Sequence, residues 1–136
     1  DMTATTYSYA TVTEMSGETI KTVLEDVCDN LFNPDPYYQQ GGDMVRVGGL
    51  EYVCRPTETM GKRIHDMRIK GKLIDPNKKY KVAGWAPVAE EAKNQNLKPV
   101  WEVAEQWLKA SGGRVKARKL NTPKLEGVLP NPGFAA

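Results

Sequence analysis

By type, Cys28, Cys54 and His65 are the residues of this chain best able to hold a soft metal ion or form a covalent sulfur link. Their number decides against the metal. Two cysteines without Cys-x-x-Cys spacing and a single histidine fall short of the four ligands of a closed zinc site, so none is expected in this domain. The cysteines themselves leave two readings. A disulfide needs an oxidising compartment and Cα atoms within roughly 7 Å. Two buried thiols need only a core, which is where Cys most often sits. A second conspicuous stretch is Tyr37-Tyr38-Gln39-Gln40-Gly41-Gly42-Asp43-Met44-Val45-Arg46-Val47-Gly48-Gly49-Leu50, which sets an acid beside two glycines and follows it with an alternating strand.

The elements that must position these residues are readable from periodicity. Tyr7 to Met15 alternates and is rich in Thr, Tyr and Val, as a strand is. Ser16-Gly17 turns it, and Ile20, Val23, Leu24, Val27 and Leu31 then fall on one stripe of a helix that Ser16 can cap. Asn33-Pro34-Asp35-Pro36 stops that helix, because proline disfavours the α conformation before it and has no amide to donate. Met44 to Cys54 reads as a strand interrupted at Gly48-Gly49, a place for a bulge or for close backbone approach. Arg63 to Ile69 alternates, Lys70-Gly71-Lys72 returns the chain to Leu73-Ile74 in a hairpin, Asp75-Pro76-Asn77 breaks it, and Lys79 to Trp85 forms a further strand. A second helix begins near Pro99, is expected to bury Val100, Val103, Ala104, Trp107 and Leu108, and stops at Gly112-Gly113. Strands and helices together give an α+β fold, a mixed sheet with two main helices packed on it, over residues 1–120. From 121 to 136 an irregular tail is expected.

Composition bounds the rest. A chain of 136 residues fits one domain with one core. A formal charge of +2 argues for neither nucleic acid nor an anionic membrane as partner. No apolar run approaches the roughly 20 residues of a membrane helix, and Asp1-Met2-Thr3-Ala4 lacks the basic and apolar regions of a signal peptide, so an exported parent is expected to carry its signal elsewhere.

The order of strand, Ser16-Gly17-Glu18-Thr19-Ile20-Lys21 helix start, glycine-rich loop, Val45-to-Leu50 strand and Ile69-Lys70-Gly71-Lys72-Leu73-Ile74-Asp75-Pro76-Asn77-Lys78-Lys79-Tyr80-Lys81-Val82 resembles the C-terminal domain of the 5′-nucleotidase family over roughly residues 5 to 110. The run from Asn33 to Gly49 resembles one branch more specifically, the SoxB sulfate thiohydrolases of the periplasmic thiosulfate-oxidising system. The resemblance implies a two-domain, metal-dependent parent whose N-terminal metallophosphoesterase domain carries a dinuclear centre, manganese by family expectation. That domain is not among these residues, so the chain alone is expected to be catalytically silent and to hold no cofactor.

The resemblance also implies which residues face substrate. Nucleotidases of the family stack the base between two aromatics. Tyr7 falls at the first aromatic position, whereas Pro87 falls at the second and no Gly-Gly-Asp-Gly follows it. A nucleobase would lose one stacking face, worth about 1–3 kcal/mol. The SoxB-like reading implies instead a groove for a cysteine-bound sulfane-sulfonate on the glycine-rich arm of the SoxY–SoxZ carrier. The amides of Gly41 and Gly42 and a fork from Arg46 would bind the sulfonate, Asp43 would orient the arm, and Tyr7 and Trp85 would flank it. Each has a plainer alternative: turn glycines, a solvent-facing strand arginine, core aromatics. A nucleotidase domain and a stand-alone binding module are the competing function classes.

Overall fold

Ser16 ends a strand and starts a helix. In the computed structural model, which describes residues 9–41, 47–84, 98–116 and 121–128, strand β1 (Tyr9–Ser16) runs directly into helix α1 (Gly17–Phe32). The Ser16 hydroxyl accepts the Thr19 amide at 3.0 Å, while the Gly17 and Glu18 amides donate to the carbonyls of Lys78 and Pro76 at 3.1 and 3.0 Å. The open donors of the first turn are thereby satisfied, and Glu18 places negative charge at the positive end of the helix dipole. Later elements are a 3-10 turn (Pro36–Tyr38), β2 (Glu51–Cys54), β3 (Ile64–Ile69), β4 (Lys72–Leu73), β5 (Lys79–Gly84), β6 (Lys98–Pro99), α2 (Val100–Ala110) and β7 (Lys124–Leu125).

The strands form two sheets rather than the single mixed sheet expected, in two compact units made of residues 1–15 with 79–118 and 16–78 with 119–136. The first unit holds the sheet β5-β1-β6, in which β6 lies antiparallel to β1 with Tyr9 opposite Pro99. Thr11, Thr13 and Met15 are its buried alternating face, and the Thr11 hydroxyl donates to the Gly84 carbonyl at 3.1 Å. Helix α2 starts beside Pro99 as expected, although Pro99 stands one position before its first turn and makes no side-chain cap bond, and the Gly113 amide returns to Leu108 O at its end. The expected burial of its stripe does not occur. No residue of α2 is buried, and Trp101, Val103, Trp107 and Leu108 are all exposed.

The second unit holds the sheet β4-β3-β2-β7, mixed because β7 runs parallel to β2 while the other pairs are antiparallel. Its core is Leu24, Cys28, Tyr52, Cys54, Ile64 and Met67, with Ile20, Val47, Leu50 and Ile74 against it. Ile64 and Met67, three apart, share this core because β3 carries the bulge: Glu51 pairs with Arg68 and Val53 with His65, leaving one extra residue in β3 where Asp66 has φ +49°. The bulge thus falls opposite Tyr52, not at Gly48-Gly49. The hairpin to β4 turns on Lys70 and Gly71, both at positive φ, as the turns that match strand twist require. The segment expected to be an irregular tail instead closes the sheet, with Lys124 and Leu125 pairing with Val53 and Cys54.

One buried acid ties helix to sheet. The Glu25 carboxylate accepts the amides of Gly61, Arg63 and Ile64 at 2.8, 3.1 and 2.8 Å and the Lys21 ammonium at 2.8 Å. Burial alone would raise this carboxyl, but Lys21 and the three amides outweigh it and hold it below its ordinary value. A carboxyl so lowered contributes stability above its unfolded-state value and loses it as pH falls through the folded-state one. Glu25→Gln, which turns an amide donor toward amide donors, is expected to cost about 2–3 kcal/mol at neutral pH. It should also flatten the loss of stability into the acid range, read by urea unfolding over a pH series. At Gly17 a Cβ would lie 2.3 Å from the Asp75 carbonyl oxygen. Gly17→Ala is therefore expected to lower stability by about 1–3 kcal/mol in the same assay, the sign opposite to helix propensity.

Candidate functional site

Between α1 and β2 the chain makes an excursion whose first part, residues 33–41, is held by its own short-range bonds. Asn33 ends the helix with its amide on Asp29 O at 2.9 Å, and its side-chain amide donates to the Asp29 carboxylate at 2.8 Å. Its Oδ1 accepts the Asp35 amide at 3.0 Å, and the Asp35 carboxylate accepts the Tyr37 amide at 3.0 Å. The Gln39 side chain donates back to Asn33 O at 2.7 Å. Asn and Asp do this because their short side chains copy a backbone turn. Pro34, between them, and Pro36, after Asp35, carry no amide that would need a partner.

This stiff turn displays two adjacent aromatics to solvent, Tyr37 at 95% and Tyr38 at 66% exposure. Rings so exposed contribute little to the core, and each phenol offers a stacking face and a hydroxyl donor to a bound group. Neither was singled out from sequence. The legible signal was the pair of tyrosines directly after Asn-Pro-Asp-Pro, where the chain cannot continue a helix that would bury them.

The base of the turn is anchored from beneath. Arg63 is buried, its Nη1 donates to Asp29 Oδ1 at 2.5 Å and its Nε to Glu58 O at 2.7 Å. Arg63, followed by Asn33, holds the Asp29 carboxyl below its usual value. The far end of the excursion is also pinned. Gly41, at φ +78°, donates its amide to Asn30 O at 3.2 Å. Asn121 donates to Val47 O at 3.3 Å and accepts the Gly49 amide at 2.9 Å. Asn121, assigned from sequence to a tail, is thus a positioning residue for this loop.

Of the expected substrate-facing residues, Gly41 is the one within the described residues, exposed at the end of the turn. Tyr7, Gly42, Asp43, Arg46 and Trp85 lie outside the described residues. A shallow groove beside β2 and β3, lined among others by Glu51, Asp66, Arg68 and Lys124, offers no comparable anion site. Its cations are committed, Arg68 to Asp66 at 2.7 Å and Lys124 to Glu126 at 2.8 Å. Among the described residues no three His, Cys, Asp or Glu side chains come together to hold a metal ion.

Residues 5–98 match the family described as 5′-nucleotidase, C-terminal domain. The chain belongs to this family. Among solved structures, this C-terminal domain is similar to sulfate thiohydrolase SoxB of Thermus thermophilus, solved with glycerol, at 37% identity over 91% of the chain with a TM-score of 0.76. It spans 23% of that protein's length. A Staphylococcus aureus protein assigned as a 5′-nucleotidase, solved with α-ketoglutarate, shares the fold at 14% identity and a TM-score of 0.57, over 88% of this chain and 28% of the other. No curated protein matches. The α+β family fold with two helices, expected from the order of elements, is the one observed.

The Asp35 side chain is the keystone of the turn's start. Asp35→Ala should raise amide exchange at Tyr37 by about tenfold, the loss of one cap-type bond, while shifting global stability by less than about 0.5 kcal/mol. Hydrogen exchange followed by NMR separates the two.

Proposed function

We propose that this chain is the substrate-recognition C-terminal domain of a SoxB-type hydrolase that releases sulfate from a cysteine-bound sulfane-sulfonate during thiosulfate oxidation. The observation that carries this reading is the 37% identity, spread over 91% of the chain, with a sulfate thiohydrolase. The loss of the second nucleobase-stacking position, at Pro87, argues the same way against a nucleotide substrate.

In this reading the substrate is the arm of a SoxY–SoxZ carrier in the periplasm, presented to a cleft that this domain and a separate catalytic domain share. Water adds its oxygen to the sulfonate sulfur, the S–S bond breaks, sulfate leaves, and the sulfane sulfur stays on the carrier cysteine. A dinuclear metal centre, manganese by family expectation, would supply the activation of that water in the separate catalytic domain. In this reading bond breaking belongs to the separate catalytic domain and not to the residues of this chain. Their part is to bind and orient. The Gly41 amide is given to Asn30 O and shapes the turn, while the Gly42 amide and the Arg46 guanidinium meet the sulfonate and Asp43 orients the arm. Tyr37 and Tyr38, on the stiff turn that precedes Gly41, extend this surface toward the arm's backbone.

The test is a paired NMR titration of the labelled chain with an S-sulfonated, glycine-rich arm peptide and with adenosine monophosphate. Peptide-dependent shifts across residues 37–46, with none from the nucleotide, are expected. Shifts from the nucleotide alone, near Tyr7 and Trp85, would return the domain to the nucleotidases.

A further inference from the structure

The core of the second unit closes around two sulfur atoms. Cys28, in the C-terminal half of α1, and Cys54, the last residue of β2, are both fully buried, and their Sγ atoms lie 3.2 Å apart although 26 positions separate them in sequence. Around them stand Leu24, Tyr52, Ile64 and Met67. Nothing in the proposed hydrolysis uses either thiol. Two cysteines that meet in this way are more than packing, because a core position needs only a small apolar side chain and no particular neighbour.

We propose that Cys28 and Cys54 are joined in a disulfide when the protein folds in an oxidising compartment, a staple between α1 and β2. An S–S bond of about 2.05 Å requires the sulfurs to approach by only about 1 Å from their present contact. The loop that this bond closes contains the whole excursion from Asn33 to Gly49, so the staple ties together the two elements from which the candidate substrate surface is hung. It requires an oxidising compartment but neither the proposed substrate nor its carrier.

The chemistry balances with a low-molecular-weight disulfide as oxidant, supplied by the compartment. While the core is still open, the Cys28 thiolate attacks one sulfur of the oxidant and expels the first small thiol. Cys54 then gives up its proton to solvent and attacks Cys28 Sγ, expelling the second. Two protein thiols are oxidised and one small disulfide is reduced to two thiols. In the near-native chain the two sulfurs share a hydrogen bond in which either can donate, and the contact with Cys54 together with the positive field of Arg63 lowers the Cys28 thiol from its ordinary value against the cost of burial. Once formed, the bond lies in a core that excludes reductant.

The unmodified chain, refolded in mixed reduced and oxidised glutathione or in dithiothreitol, is denatured in iodoacetamide and weighed, then digested. The glutathione sample is expected to take up no alkyl group and to yield a linked Cys28–Cys54 peptide. It should melt about 10 °C above the dithiothreitol sample, which takes up two. The double variant C28A/C54A should lose that redox-dependent difference in melting. Two alkylated or two glutathione-capped cysteines in an oxidised chain of native circular dichroism would overturn the proposal, and this result needs no variant to fold. Equal melting of linked and reduced chains would overturn the staple.

Discussion

The second unit depends on a carboxylate that α1 carries inside. Glu25 lies off the apolar stripe of the helix yet is buried, and it collects the amides of Gly61, Arg63 and Ile64 together with the Lys21 ammonium. Those amides belong to the turn that leads into β3, so one side chain fixes the distance between helix and sheet and the position at which β3 begins. A neutral residue there would leave buried donors unpaired. The same strand start carries Arg63, which reaches the other way to Asp29 near the end of α1. Acid and arginine on adjoining turns of the same interface set the register in which Leu24, Cys28, Ile64 and Met67 meet.

The segment from Ile69 to Val82 marks the family because of what it builds. Lys70 and Gly71 make the hairpin turn, and Asp75 turns the chain through a bond from the Asn77 amide at 2.9 Å. The carbonyls of Pro76 and Lys78 then accept the first amides of α1. A helix start and a distant loop complete one another, which is why Gly17 cannot carry a side chain. This is a requirement of the fold and says nothing of the substrate. The excursion that follows α1 is a separate feature, held at Asn33, Asp35 and Gly41 by bonds of its own.

That division fits a domain spanning under a quarter of its sulfate thiohydrolase relative. Its buried polar groups are engaged in structure: Glu25 and Arg63 bridge helix and sheet. The turn presents Tyr37 and Tyr38 to solvent, and its amides at Asp35, Tyr37, Tyr38, Gln39 and Gly41 are paired within the chain.

The sequence by itself determined the elements whose causes are local. The Ser16 cap, the stop at Asn33-Pro34, the turn at Lys70-Gly71 and the start of α2 at Pro99 rest on interactions between residues a few positions apart, and each stands where the pattern put it. Only the tertiary structure decided what depends on distant partners. It split the strands into two sheets, moved the bulge into β3, left the stripe of α2 uncovered, and made a strand of Lys124–Leu125. It also turned Asn121 from tail into anchor and brought two cysteines of open pairing into contact. Hydrophobic periodicity records which face of an element is apolar but not which neighbour covers it. Pairing between strands is set by backbone groups that every residue carries alike.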